Sequence, residues 1–272
     1  MLAVPQKYFT IEGVATYLHH TGTTTLPGVA PDQSRGESVL CLHGVGGNGA
    51  VFAPFMQRLA KHHSPLAFDQ PGHGRSGGLD SLGSVERMTD FTRAVIEKLD
   101  LRQPVLLGHS LGSAIALEYA LRYPQEVRAL VLCSSGARLE ILDSVLDLHR
   151  RVTEGRERRP FSRELFSAAA SPEILRQGFM EDMKTDPRAR FGDMLAARDW
   201  NADKRLDALA APTLIVWGED EQPALAAQAE LLSARLRSAR KLIVPKAGHM
   251  LPLEAPEALA GGVDRFLADL AR

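Results

Sequence analysis

The pentapeptide Gly108-His109-Ser110-Leu111-Gly112 constrains the fold of this chain more than any other segment. The apolar residues 104–108 before it predict a buried strand, and residues 113–122 after it predict a helix that stops before Pro124. A strand can turn directly into a helix only where side chains do not collide, so glycines on both sides of a serine predict a tight turn. At its tip the Ser110 hydroxyl is lifted clear of the sheet, which makes Ser110 the candidate nucleophile.

The rest of the chain alternates short apolar runs with longer helical patterns, which predicts a largely parallel sheet covered by helices. Residues 11–18 predict a hairpin around Glu12-Gly13. The predicted strands are 38–43, 66–68, 104–108, 127–133, 213–217 and 241–244, and the predicted helices are 51–61, 84–99, 113–122 and 256–270.

The alternation of strands and helices stops between residues 137 and 207, where no strand is predicted and prolines interrupt helical patterns. We interpret 137–207 as a helical cap, or lid, inserted into a core domain formed by 1–136 and 208–272. The cap covers the C-terminal edge of the sheet, and its apolar side chains either line a pocket for a medium-sized apolar substrate or pack the cap onto the sheet. Trp200 has the same two interpretations.

A serine hydroxyl needs a base to become a good nucleophile, and the base in turn needs an acid that orients it. His249 follows the predicted strand 241–244, and Gly248 leaves the backbone free to aim the imidazole. Three acids, Glu219–Glu221, follow the predicted strand 213–217. The chain order serine, acid, histidine is that of α/β-hydrolases and differs from those of chymotrypsin and subtilisin.

With these motifs the sequence resembles the α/β-hydrolase superfamily, in the branch of small esterases, lactonases and C–C bond hydrolases. The resemblance covers nearly the whole chain and is weakest in 1–36 and 137–207. It implies the α/β-hydrolase fold, a mostly parallel eight-stranded sheet flanked by helices with a helical cap. His43-Gly44-Val45-Gly46-Gly47 is similar to the family's loop after the third strand. In that family the backbone N–H groups equivalent to those of Val45 and Leu111 bind the oxyanion.

One position departs from the family pattern. The family usually places an aspartate three residues after the glycine that ends the strand, and here that position is Glu221. The triad acid is therefore Glu221, which the spacing favours, or Asp220. Residues beside the catalytic positions, namely His43, Gly44, His109 and Met250, are expected to contact the substrate. The segment 69–76, Asp-Gln-Pro-Gly-His-Gly-Arg-Ser, resembles a structural turn that shapes the family's site without taking part in the chemistry.

Composition excludes several other classes of protein. A net charge of −1 argues against a nucleic-acid partner, because phosphate contacts need an excess of Lys and Arg. Neither a signal peptide nor a membrane span is evident, so a cytoplasmic setting is the default. Cys41 and Cys133 lie in apolar runs and are expected to be buried thiols. The paired histidines His19-His20 and His62-His63 do not have metal-ligand spacing.

The sequence thus predicts a hydrolase that cleaves a small-molecule ester or related acyl bond without a metal or cofactor, as a monomer or homodimer. A cofactor-free oxygenase or perhydrolase that uses the same histidine, a C–C bond hydrolase and a catalytically silent binding module are the alternatives. An aspartate nucleophile, as in the dehalogenases and epoxide hydrolases of this fold, is excluded because position 110 is serine.

Overall fold

One sheet of eight strands organises the chain in the computed structural model, which describes residues 4–270. The first two strands form the predicted hairpin, and Glu12 and Gly13 turn it with φ of 47° and 79°. The strands are β1 (Gln6–Ile11), β2 (Val14–His20), β3 (Ser38–Leu42), β4 (Ser64–Phe68), β5 (Val105–His109), β6 (Ala129–Cys133), β7 (Thr213–Gly218) and β8 (Ala239–Val244).

The strand order is β1-β2-β4-β3-β5-β6-β7-β8. The first three strands in this order pair antiparallel, and all pairs from β4 to β8 are parallel. After β3 the chain moves to one side of the sheet, into β4, and after β5 it moves to the other, into β6. The loops that follow β3 and β5 therefore diverge, and in open α/β sheets such a divergence leaves a crevice that binds ligands.

Helices cover both faces of the sheet, as the alternating pattern predicts. Alternate residues of β3 belong to separate apolar cores, with Val39 and Cys41 in one and Leu40 and Leu42 in the other. Both cysteines are free and buried, as expected from the apolar runs around them. The α-helices are α1 (Ala53–Leu59), α2 (Val85–Lys98), α3 (Leu111–Arg122), α4 (Asp143–Thr153), α5 (Pro172–Asp182), α6 (Pro187–Asp199), α7 (Pro223–Arg235), α8 (Leu251–Glu254) and α9 (Pro256–Leu270).

The segment interpreted as a cap contains helices α4, α5 and α6 and contributes no strand to the sheet in the part of the chain that the structure describes. Its C-terminal end is joined to the core through Glu118 on α3. The Trp200 indole N–H donates to Glu118 Oε2 at 3.0 Å, and the Arg205 guanidinium donates to both Glu118 oxygens at 2.9 and 2.7 Å. Burial favours the neutral carboxyl, but these donors outweigh it and lower the pKa of Glu118. Trp200 therefore anchors this segment.

Candidate active site

Ser110 lies at a sharp turn between a strand and a helix. Strand β5 ends at His109 and α3 begins at Leu111, two residues earlier than the sequence predicted, so Ser110 alone makes the turn. Its φ of 55° and ψ of −118° are unusual for a residue with a side chain. Such strain persists only where the surrounding structure imposes it, and it is often found at functional sites.

The two glycines of the pentapeptide are required by close backbone contacts. A Cβ at Gly108 would lie 2.3 Å from the backbone of Gly112 and Ser113, and a Cβ at Gly112 would lie 2.0 Å from the carbonyl oxygen of Leu42. Both distances are far below van der Waals contact. The glycines thus allow β5, α3 and β3 to approach closely enough to hold Ser110 at the carboxyl edge of the sheet.

His249 and Glu221 form a buried pair at the same edge of the sheet. His249 Nδ1 lies 3.1 Å from both Oε1 and Oε2 of Glu221, and each residue is 6% exposed. Burial alone would raise the pKa of Glu221, but the hydrogen bond and charge of His249 lower it. A carboxylate that accepts from Nδ1–H leaves Nε2 free as the basic nitrogen.

Asp220 does not contact His249. Its carboxylate is exposed to solvent and accepts a hydrogen bond from the Ser167 hydroxyl, while its backbone N–H donates to the carbonyl of Ala247. The alternative assignment of Asp220 as the triad acid is therefore not supported. The spacing from Gly218 pointed to the residue that meets the imidazole, Glu221.

Three groups hold the backbone of His249, and two of them, Leu165 and Ser134, lie outside the predicted site. Its N–H donates to the Leu165 carbonyl at 2.9 Å, and its carbonyl accepts from His109 Nε2 at 2.8 Å and from the Ser134 hydroxyl at 3.2 Å. Burial and the neighbouring His249 lower the pKa of His109 to about 3, so its ring is neutral at physiological pH. Sequence patterns gave no signal for Leu165 or Ser134.

Glu254 fixes the loop on both sides of His249 and was also missed. Its carboxylate accepts from the backbone N–H groups of Gly248, Met250 and Ser167, at 2.8 to 3.2 Å. Burial raises the pKa of Glu254. Its position five residues after the candidate base is the only sequence clue that could have indicated this role.

The loop after β3 passes directly against the nucleophile. A Cβ at Gly44 would lie 3.0 Å from the Ser110 Cβ, so any larger residue at this position would crowd the nucleophile. Within residues 4–270, no hydrogen bond is recorded for the N–H of Val45 or of Leu111, the first residue of α3. Two unpartnered donors, one at the positive end of a helix, are suited to binding a developing oxyanion.

His43 occupies a different place from the one predicted. It is buried behind the loop, with Nδ1 3.0 Å from the Gly44 carbonyl and Nε2 accepting from the Gln70 N–H at 3.1 Å. Burial and the neighbouring His73 lower the pKa of His43 to about 4, so the ring is neutral. His43 does not line the cavity, because both ring nitrogens are used to fix the loop. The expectation that it contacts substrate stays a prediction, which this placement does not favour.

A cavity of about 390 Å³ opens above Ser110 and His249. Gly44, His109 and Met250 line it, as expected of substrate contacts. Within the part of the chain that the structure describes, the Ser110 hydroxyl has no hydrogen-bond partner. It faces the same cavity as the His249 imidazole. Of the apolar cap residues, the buried Met194 and the exposed Leu142 line the cavity, whereas Phe179, Met180 and Met183 are exposed and do not line it. Other cap residues that line it are Leu139, Glu140, Ile141, Val145, His149, Ser162, Glu164, Leu165, Arg190 and Ala197.

Asp193 on α6 links the cap segment to the loop after β3. Its Oδ2 accepts from the Gly46 N–H at 2.9 Å and lies 2.8 Å from His73 Nε2, and its Oδ1 accepts from the Ser81 hydroxyl at 2.6 Å. Burial opposes the charge on both partners, but their attraction lowers the pKa of Asp193 and raises that of His73. His73 belongs to the 69–76 turn, so this predicted structural turn supports the loop through Asp193.

We expect Asp193→Asn to lower kcat/KM about 10- to 100-fold and to cost about 3–5 kcal/mol of stability, because an amide cannot accept from all three donors. Asp199→Asn, an exposed position on the same helix, is the control.

The ion pair of His73 with Asp193 should also make stability depend on pH. The pKa of His73 is raised in the folded state, so the pair stabilises the fold fully below the ordinary histidine pKa. This stabilisation is lost as pH rises through the folded pKa. Urea unfolding measures this effect. The free energies of unfolding of Asp193→Asn and Asp199→Asn should converge as pH rises from 5 to about 9. Equal kcat/KM of the two variants at pH 7 would contradict the proposed role of Asp193.

Comparison with known proteins identifies the family of the chain. The sequence profile of the Alpha/beta hydrolase family matches residues 39–261, and the chain belongs to this family. It is 26% identical over 252 residues to a putative carbamate hydrolase, RutD, of Rhizobium rhizogenes, covering 87% of this chain and 94% of that protein. A thermophilic esterase from Thermogutta terrifontis superposes with a TM-score of 0.84 at 20% identity, over 99% of this chain and all of that one.

Another curated relative is longer than this chain. The dihydrolipoyllysine-residue acetyltransferase component of the acetoin cleaving system of Pseudomonas putida is 27% identical over 241 residues. The match covers 85% of this chain but only 64% of that protein. Within residues 4–270, no helix combines the length and the apolar character needed to cross a membrane, and no group of three His, Cys, Asp or Glu side chains could hold a metal ion.

Proposed function

We propose that this α/β-hydrolase cleaves a carboxylic ester or a related acyl bond, as an esterase or lactonase, through an acyl-enzyme intermediate. The observation that carries the proposal is the buried contact between Glu221 and His249 Nδ1, made at the cavity that Ser110 also lines. The hydrolase and esterase similarities support the same class of reaction.

In the proposed first step, His249 Nε2 takes the Ser110 proton as the hydroxyl oxygen attacks the substrate carbonyl. Catalytic hydrogen bonds often tighten only when substrate is bound, so an open Ser110 hydroxyl is compatible with this step. The Val45 and Leu111 N–H groups stabilise the oxyanion, each by about 3–4 kcal/mol if they match a typical donor of this kind. Glu221 stabilises the imidazolium that forms.

In the second half of the reaction, His249 protonates the leaving alcohol, which departs and leaves Ser110 acylated. The same imidazole then takes a proton from water as the water attacks the acyl carbonyl. Collapse of the second tetrahedral intermediate returns the proton to Ser110 and releases the acid. The apolar cap residues around the cavity suit a small to medium substrate with an apolar part.

A panel of 4-nitrophenyl acetate, butyrate and hexanoate with simple lactones tests the proposal. We expect saturable hydrolysis of at least one of them, at a rate that neither EDTA nor the replacement of air by argon changes. A rate that requires oxygen would favour the oxygenase alternative. No turnover of any ester or lactone by the folded protein would contradict the proposed function.

A further inference from the structure

Two arginines of the cap segment share a single carboxylate. Arg159 Nε lies 3.1 Å from Asp182 Oδ2, and Arg190 Nη1 donates to Asp182 Oδ1. Both arginine side chains are only 8% exposed. Asp182 neutralises one of the two charges. Asp186, the other carboxylate that acts on Arg159, is itself paired with Arg188, so this buried cluster carries an excess of one positive charge.

The cluster also has donors without acceptors. Arg190 Nε and Arg159 Nη2 are buried and have no hydrogen-bond partner among residues 4–270, and the contact of Arg159 Nε with Asp182 lacks hydrogen-bond geometry. The nearby carboxylate of Asp193 is saturated by its own three donors. A buried, incompletely paired guanidinium costs free energy, so such donors point to an acceptor that arrives with a ligand.

Arg190 borders the catalytic cavity. It lines the same cavity as Ser110 and His249, and its aliphatic stem packs over Gly46, where a Cβ would lie 2.7 Å from the Arg190 Cγ. Gly46 directly follows Val45, whose N–H is unpartnered. An anion held by Arg190 would therefore lie in the same cavity as the acyl group that Ser110 attacks.

His149 lines the cavity beside this cluster. Burial and the charges of Arg190 and Arg159 lower its pKa to about 4, so its ring is neutral at physiological pH and can donate one hydrogen bond. Two carboxylates, Glu140 and Glu164, also line the cavity but are exposed, and Glu140 pairs with Arg138 at 2.8 Å. Water screens their charges, so an anion is drawn to the buried Arg190.

We propose that Arg190, supported by Arg159 and His149, is a binding subsite for a carboxylate group carried by the substrate. The planar guanidinium fork matches a carboxylate, and the one excess positive charge matches its single negative charge. The inference deepens the proposed function, on which its kinetic test rests, and it narrows the substrate to an ester or lactone that also bears a carboxylate.

The kinetic test compares mono-4-nitrophenyl adipate with its neutral methyl ester, which present the same scissile bond and differ in one negative charge. We expect wild type to favour the anionic ester in kcat/KM. Arg190→Gln should reduce kcat/KM for the anionic ester about 10- to 100-fold more than for the neutral ester. The preference of Arg190→Lys for the anionic ester should lie between those of wild type and Arg190→Gln. Arg188→Gln, an exposed position on the same helix, should keep the wild-type preference. Equal turnover of both esters by wild type, or an equal loss for both in Arg190→Gln, would overturn the subsite.

Calorimetry with adipate itself separates this inference from the proposed function, since binding needs no turnover. We expect saturable binding by wild type and Arg188→Gln, and its loss in Arg190→Gln, even if no ester is hydrolysed. A second readout is the His149 imidazole, whose NMR-detected pKa should rise when a carboxylate offsets the charge of the arginines. No adipate binding by wild type would overturn the subsite, whatever the esterase result.

Discussion

Replacing Ser110 with alanine is expected to abolish ester hydrolysis, with kcat falling about 10⁴- to 10⁶-fold. The hydroxyl is the only group at the strained turn that can form the acyl intermediate, and the remaining oxyanion donors supply only a small residual rate. Initial rates with the best 4-nitrophenyl ester measure the effect. A variant that retains a tenth of the wild-type rate would remove Ser110 as nucleophile and favour the oxygenase alternative, which needs only His249.

The control for folding uses the backbone strain at this position. Because Ser110 has a φ of 55°, Ser110→Gly should be as inactive as Ser110→Ala but more stable by about 1 kcal/mol. Urea unfolding compares the two variants. Inactive proteins that unfold at or above the wild-type midpoint would show that lost chemistry, rather than lost structure, explains the result.

Glu221→Gln is expected to lower kcat about 10³- to 10⁴-fold, and Asp220→Asn to change it less than about threefold. A glutamine amide can present an N–H to His249 Nδ1, which favours the tautomer that cannot accept the Ser110 proton at Nε2. Asp220 is exposed and contacts Ser167, so its charge is not used by the imidazole. Comparable losses in the two variants, or a larger loss in Asp220→Asn, would contradict the assignment of the acid.

The contact between Glu221 and His249 should also make the free energy of unfolding depend on pH. The pKa of Glu221 is lowered in the folded protein, so the contribution of its charge is present above the ordinary glutamate pKa. It is lost as pH falls through the folded pKa. Wild type should therefore be more stable than Glu221→Gln at pH 7, and the difference should shrink in acid, as measured by urea unfolding at each pH.

The parts of the fold that depend on local patterns could be predicted from the sequence. The spacing of Gly108 and Gly112 indicates that two backbone segments approach closely. The turn at Glu12-Gly13 is likewise indicated by adjacent residues. Glu221 followed from counting three residues beyond Gly218, since both positions belong to one short strand-to-loop segment. In each case the informative residues lie within a few positions of one another.

The contacts that could not be predicted join distant parts of the chain. Asp193 meets His73 across 120 residues, and Arg159 and Arg190 meet at Asp182 only because the loop after α4 packs against α5 and α6. Helical periodicity gives the existence of such helices but not their packing angles. The orientation of His43 could not be predicted for a related reason, since the residues that follow it line the cavity while its own ring turns to Gln70.

Covalent labelling tests most directly whether Ser110 is the activated nucleophile of this protein. The folded wild type is incubated with a fluorophosphonate, followed by intact mass and peptide mapping, with Ser110→Ala beside it. We predict rapid addition of one phosphonyl group per chain at Ser110 and none in the variant. An unlabelled wild type, or a label at another residue that persists in Ser110→Ala, would contradict this role of Ser110.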